Sequence, residues 1–149
     1  MEASLKSSKL IPDLLDGVAD HTQQVEMHVA FGDTEAKDGV LIPPPKISSD
    51  PDPPDPANPI RKEWLHWLVT NISNSDISTG QELASYMGPA PPIGTHRYVF
   101  MLFKQPNQEP IQAEEPTGGK RAHFNTREFA KKYNLGDPVS VVYFNSHKV

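Results

Sequence analysis

Asp50-Pro-Asp-Pro-Pro-Asp-Pro-Ala-Asn-Pro-Ile-Arg-Lys-Glu-Trp-Leu-His-Trp-Leu68 joins a proline-stiffened acidic loop directly to an apolar run. Proline fixes φ and removes a backbone donor, so the loop is rigid and cannot pair as a central strand. Asp50 and Asp52 therefore sit on a stiff turn, close in sequence to Glu63 and His66. A second stretch, Pro91-Pro-Ile-Gly-Thr-His-Arg-Tyr98, also runs from a stiff loop into a strand. Two histidines delivered this way, with carboxylates beside one of them, outline the walls of a small polar pocket.

The composition fits that picture. A chain of 149 residues suits one domain, residues 1–149, with a looser segment over 1–20. A net charge of -5 argues against direct nucleic-acid binding, which needs a basic footprint. The chain has no cysteine, so disulfides and thiolate chemistry are excluded and a reducing, intracellular setting is expected. No stretch approaches the ~20 apolar residues of a membrane helix, and the N-terminus lacks the apolar core of a signal peptide. Sixteen prolines with 36% hydrophobic residues point to a loop-rich β protein.

Taken in order, Leu10, Ile11, Leu14, Leu15 and Val18 suit a helical turn or two, weakened by Pro12 and Gly17. Val25 to Phe31 alternates as a half-buried strand does, and Asp38-Gly39 turns the chain into a short strand, Val40 to Ile42. Trp64 to Ile72 reads as a buried strand in which Trp64, His66 and Leu68 share one face. Asn71 to Thr79 is a polar loop, and Gln81 to Met87 suits a short helix or an irregular turn. Tyr98 to Phe103 is the strongest strand and expected to be central, because both its faces are apolar. Asn125 with Glu128 three residues on predicts a capped helix running to about Leu135, stopped at Gly136. Val139 to Phe144 is the last strand.

Three chemistries compete for the histidines. Glu63-Trp-Leu-His66 matches a metal-binding Glu-x-x-His spacing, which works on a helix but points the two side chains apart on a strand. Hydrolysis would need a nucleophile elbow or a zinc motif, and the sequence has neither. An anion pocket demands less: donors from the imidazoles of His66 and His96, backbone N–H groups around Gly94, and the Tyr98 phenol. Binding without chemistry is the favoured reading, with no cofactor.

Asp50-Pro-Asp, Arg61-Lys-Glu-Trp-Leu-His-Trp-Leu-Val and Gly94-Thr-His-Arg-Tyr-Val together resemble the phosphatidylethanolamine-binding protein family. Phe124-Asn-Thr-Arg-Glu-Phe-Ala and Leu135-Gly-Asp-Pro-Val-Ser-Val-Val-Tyr-Phe-Asn resemble its plant branch, which contains the flowering regulators. The resemblance implies an antiparallel Greek-key β-sandwich with one short helix near the C-terminus. It also implies a pocket for a phosphate or phospholipid headgroup, built from Asp50, Asp52, His66, Pro92, His96 and Tyr98 with Glu63, Trp64 and Gly94 beside them. Trp64 is similar to the mother-of-FT type, linked to seed germination and hormone response. The implied protein is a monomeric, non-enzymatic regulator of cytoplasm and nucleus, working through 14-3-3 adaptors and, through them, transcription factors. The family's other roles imply two alternatives: a protease or kinase inhibitor acting through a surface loop, or a degenerate member without a working pocket. In one respect the chain departs from the family, which runs an apolar strand straight into Asp-Pro-Asp where this chain has Pro-Lys-Ile-Ser-Ser. The expected consequences are a missing strand, poorly anchored Asp50 and Asp52, and lower stability than a full-length relative.

Overall fold

The computed structural model describes residues 30–31, 34–35, 40–41, 49–58, 62–73, 76–106, 109–116 and 120–147. The helical turn expected over Leu10 to Val18 lies outside the described residues, as does most of the strand expected from Val25. The dominant element is an antiparallel pair: β8, Thr95–Leu102, runs against β9, Ser140–His147, in unbroken register from Thr95↔His147 to Leu102↔Ser140. Alternation puts His96, Tyr98 and Phe100 on one face, opposite Ser146, Phe144 and Val142. Tyr98 and Phe144 stack at 5.4 Å between ring centroids, and both are buried. Val99 is buried on the other face, so both faces of β8 are covered.

The sheet order differs from the expectation of a central β8. β9 lies between β8 and β3, Val40–Leu41, and β3 runs parallel to β9, so the sheet is mixed. β1, Ala30–Phe31, and β2, Thr34–Glu35, form a small antiparallel hairpin. β4, Ser49–Asp50, pairs antiparallel with β5, Trp64–Leu65, and lies beside β8.

The single strand expected over Trp64 to Ile72 is two strands. β5 stops at Leu65, and β6, Leu68–Thr70, begins after a break at His66-Trp67. The reason is a change of partners. β5 is held by β4 on one side and by residues 121–124 on the other, through Leu65 N–H to Arg121 O at 2.8 Å and a reciprocal pair between Glu63 and Phe124. β6 pairs instead with β7, Gln81–Ala84, with a register shift between Leu68 and Val69. Thus the helix or turn expected over Gln81 to Met87 begins as a strand. Gly80 precedes it because there is no space for more: a Cβ there would lie 2.4 Å from Val69 Cγ1 and 2.9 Å from Ile72 Cγ1. β6 gives way at Asn71, whose φ is +60°.

The helix α1, Thr126–Lys132, starts where expected, with Asn125 Oδ1 accepting the Glu128 N–H at 3.0 Å. It stops earlier than expected. Asn134 takes the left-handed conformation (φ +58°) before Gly136 (φ +67°), and Leu135 N–H closes on Ala130 O at 2.9 Å.

Gly80→Ala should lower the urea midpoint with little change in m, by about 2 kcal/mol of overpacking. An unchanged midpoint would show that the β6–β7 contact yields.

Candidate functional site

Polar groups converge where the acidic loop meets the start of β8. β4 sets Asp50 opposite Trp64, and the Asp52 N–H folds back on Asp50 Oδ1 at 2.8 Å. His96 Nδ1 donates to Asp50 Oδ2 at 2.5 Å, and His96 Nε2 donates to Ile93 O at 2.9 Å. Both ring nitrogens therefore face acceptors, which requires both to carry protons. Burial works against a charged ring at this fully enclosed position, but the Asp50 carboxylate and the Ile93 carbonyl outweigh it and raise the His96 pKa.

The next residue of β8 carries the second pair. Asp52 Oδ2 accepts the Arg97 N–H at 2.8 Å and Nε–H at 3.0 Å, while Oδ1 accepts Nη2–H at 2.6 Å. His96 and Arg97 point to opposite faces of the strand, so the loop wraps the outer edge of β8 with one acid for each. Both acids are 3% exposed. The expectation that they would be poorly anchored is overturned: Asp50 lies in β4, and both carboxylates are paired with side chains of β8.

His66 is treated in the opposite way. Its Nδ1–H donates to Met87 O at 2.7 Å, which leaves Nε2 as a lone-pair acceptor with no hydrogen-bond partner among the described residues. Burial lowers its pKa, so the ring is neutral. Its edge meets the Tyr98 ring at 5.3 Å, and His96 stacks on the other side of the cluster at 6.5 Å. Burial and the neighbouring Asp50 carboxylate raise the Tyr98 pKa far above the ordinary phenol value.

Asp50, Asp52, His66, His96 and Tyr98 thus come together, with half-buried Trp64 alongside through β4–β5 pairing. Glu63 does not join them. Its Oε2 accepts the Thr126 N–H at 3.1 Å and hydroxyl at 2.5 Å, capping α1, and burial raises its pKa against those two bonds. Pro92 and Gly94 are exposed, and Gly94 (φ +73°) rests against Pro56. The donor role expected of His96 is also overturned, since both its nitrogens are engaged within the chain. Among the described residues no group of three His, Cys, Asp or Glu could hold a metal ion.

Two arginines of the site were missed in the sequence. Arg97 had a local signal, a cation beginning an apolar strand in a chain with paired acids. Arg121 had none. Its Nη1 donates to Leu65 O at 3.1 Å and His66 O at 2.9 Å, and its Nη2 to Ser85 O at 2.7 Å, satisfying carbonyls at the β5–β6 break.

Comparison with known proteins identifies the family and the fold. Residues 46–144 match the family model described as phosphatidylethanolamine-binding protein. The chain is 37% identical to Protein TERMINAL FLOWER 1 of Arabidopsis thaliana over 94% of its own length and 88% of that protein's. It is 38% identical to Protein MOTHER of FT and TFL1 homolog 2 of Oryza sativa subsp. japonica, over 83% and 82% of the two chains. The first alignment spans 161 positions, more than the 149 residues present here, so that relative carries internal residues this chain lacks. Among solved structures, a carboxypeptidase Y inhibitor complexed with its cognate proteinase has a TM-score of 0.77 at 20% identity, covering 99% of this chain and 94% of that one. A phosphatidylethanolamine-binding protein from Plasmodium vivax has a TM-score of 0.73 at 18% identity, covering 99% and 97%.

Asp52→Ala should destabilise the fold by about 3 kcal/mol, the lower end for a broken buried pair, because Arg97 keeps 19% exposure. Chemical denaturation measures it, and a loss under a tenth of that would mean the loop is held by its prolines alone. The two histidines should also shape stability against pH in opposite senses. The raised His96 pKa contributes stability below pH 6.5 that is lost as pH rises through the folded-state value. The lowered His66 pKa costs stability as pH falls below 6.5, because only the unfolded ring takes up a proton there. Melting profiles of His96→Gln should lose the alkaline slope, and those of His66→Gln the acid one.

Proposed function

The chain belongs to the phosphatidylethanolamine-binding protein family, in its plant branch, and on that footing we propose that it is a non-enzymatic regulator with a phosphate-receiving site at His66. The observation that carries the reading is the single open ring nitrogen. Asp50 is matched by His96 and Asp52 by Arg97, so the charges of the cluster are already balanced. Among the described residues, His66 Nε2 is the one nitrogen of the two histidines without a hydrogen-bond partner, and so the one left for a ligand.

The chemistry at that nitrogen separates classes of phosphate. Neutral Nε2 is an acceptor, so it takes a hydrogen bond from the O–H of a monoprotonated phosphate monoester. A phosphodiester headgroup has no such proton and needs the imidazolium, which burial disfavours. The exposed side chains of Met87 and Ile93, whose carbonyls hold the two histidines, supply apolar surface beside the site. The regulatory output runs through protein partners: 14-3-3-type adaptors in cytoplasm and nucleus and, through them, transcription factors governing flowering or seed germination.

The test is a heteronuclear NMR titration with O-phosphorylethanolamine and with glycerophosphoethanolamine, at pH values on either side of 6.5. Shifts should centre on His66, Tyr98 and Met87, and the diester should bind more tightly as pH falls while the monoester changes less. His66→Gln should remove the diester's pH dependence. Dispersed spectra with no shifts at saturating concentrations of either probe would refute a ligand site here.

A further inference from the structure

The His66 ring is aimed by its backbone, and that backbone is bent. In an extended strand successive carbonyls point to opposite sides. Here the carbonyls of Leu65 and His66 both accept from one nitrogen, Arg121 Nη1, at 3.1 and 2.9 Å. The chain therefore turns where β5 ends, and the alternation expected over Trp64, His66 and Leu68 is broken there. The turned ring meets the Tyr98 edge and bonds to Met87 O.

Arg121 holds this turn with its backbone as well as its side chain. Its carbonyl accepts the Leu65 N–H at 2.8 Å, so both polar groups of the Leu65 backbone are fixed by one residue. Its other terminal nitrogen, Nη2, donates to Ser85 O at 2.7 Å and reaches Ser85 Oγ at 3.3 Å. Ser85 lies two residues before Met87, whose carbonyl accepts from His66 Nδ1 and whose N–H donates to His66 O at 2.9 Å. The guanidinium thus registers the segment that carries the ring against the segment that carries the ring's acceptor. A shift of either swings Nε2, because Nδ1 follows the Met87 carbonyl. Both terminal nitrogens are engaged by oxygens of the chain, so Arg121 acts on a ligand through His66. Its charge works with burial and with His96 against a second proton on the ring, while Asp50 works the other way.

We propose that Arg121 is the positioning residue of the ligand site: it keeps the turn at His66 and the Met87 segment at one separation, and so fixes the direction in which Nε2 meets a phosphate O–H. The inference rests on the phosphate reading of His66 and adds to it the residue that sets its geometry. Position, rather than charge, is what Arg121 supplies. A lysine keeps the charge but offers one nitrogen where two separated ones are used, and a glutamine loses the charge as well.

Heteronuclear NMR of the histidine rings in the full chain, with Arg121→Lys and Arg121→Gln beside the native protein, tests this. Native His66 should show a protonated Nδ1 and a bare Nε2. In both variants the ring should divide between its two tautomers and its titration midpoint should rise toward 6.5, while the His96 signals stay in place. O-phosphorylethanolamine should bind roughly fivefold more weakly to both, the worth of one neutral hydrogen bond. Native affinity and native ring titration in Arg121→Lys would show that charge alone suffices. Weaker binding with an unmoved His66 ring would show that Arg121 touches the ligand itself. Either result overturns the proposal, and if Arg121→Gln does not fold, Arg121→Lys decides. The ring measurements need no ligand, so the two readings fail separately: a native chain that does not bind the probe overturns the phosphate site, and unmoved His66 signals in the variants overturn the positioning role.

Discussion

The contact on which the rest of this structure depends is Asp52 against Arg97. A strand edge must have its N–H and C=O groups met by something, and an uncovered edge invites pairing with foreign chains. Here the Asp52 carboxylate accepts the Arg97 N–H as the carbonyl of a neighbouring strand would, and the same carboxylate holds the Arg97 guanidinium. Asp50, two residues earlier, grips His96 on the other face. Pro51, fully buried between them, fixes the crossing. A loop of acids and prolines thus meets the edge of β8 with side chains.

The same loop sorts the charges of the site. His96, between an acid and a carbonyl, has its pKa raised, while burial lowers that of His66, which has a carbonyl on one side only. Two identical side chains about one tyrosine thereby have their pKa values shifted in opposite directions. One of them is bound into the architecture. The other histidine retains a lone pair for a visitor.

What was legible in the sequence was local. The apolar run from Tyr98, the Asn125 cap with Glu128, and the last strand each announce themselves within a few residues, and the structure has them close to where they read. The motifs around Asp50, His66 and His96 were enough to gather the cluster. What escaped were long-range partnerships between side chains and backbone. Nothing near Glu63 says that its carboxylate will cap a helix beginning at Thr126, and Arg121 gives no hint that it will divide Trp64 to Ile72 into two strands. Gln81 and Glu82 look too polar for a strand because β7 exposes them, and its pairing with β6 was invisible without knowing where β6 stopped. The parallel alignment of β3 with β9 likewise depends on chain path rather than on residue type.

Arg121 has one further consequence. The carbonyls it holds, those of Leu65, His66 and Ser85, lie at the two ends of the β6–β7 excursion. One guanidinium therefore shuts the base of that excursion into a closed ring, in the manner of a non-covalent staple. A planar fork with donors on separate nitrogens spans those oxygens, which a single ammonium point does not. Arg121 thus shares the cost of bringing the ring's ends together with the His66–Met87 bonds, and does so from outside the ring itself. The Met87 N–H to His66 O bond at 2.9 Å closes the same base, and Asn71 ties the far end of β6 to Gln105 and Ile111.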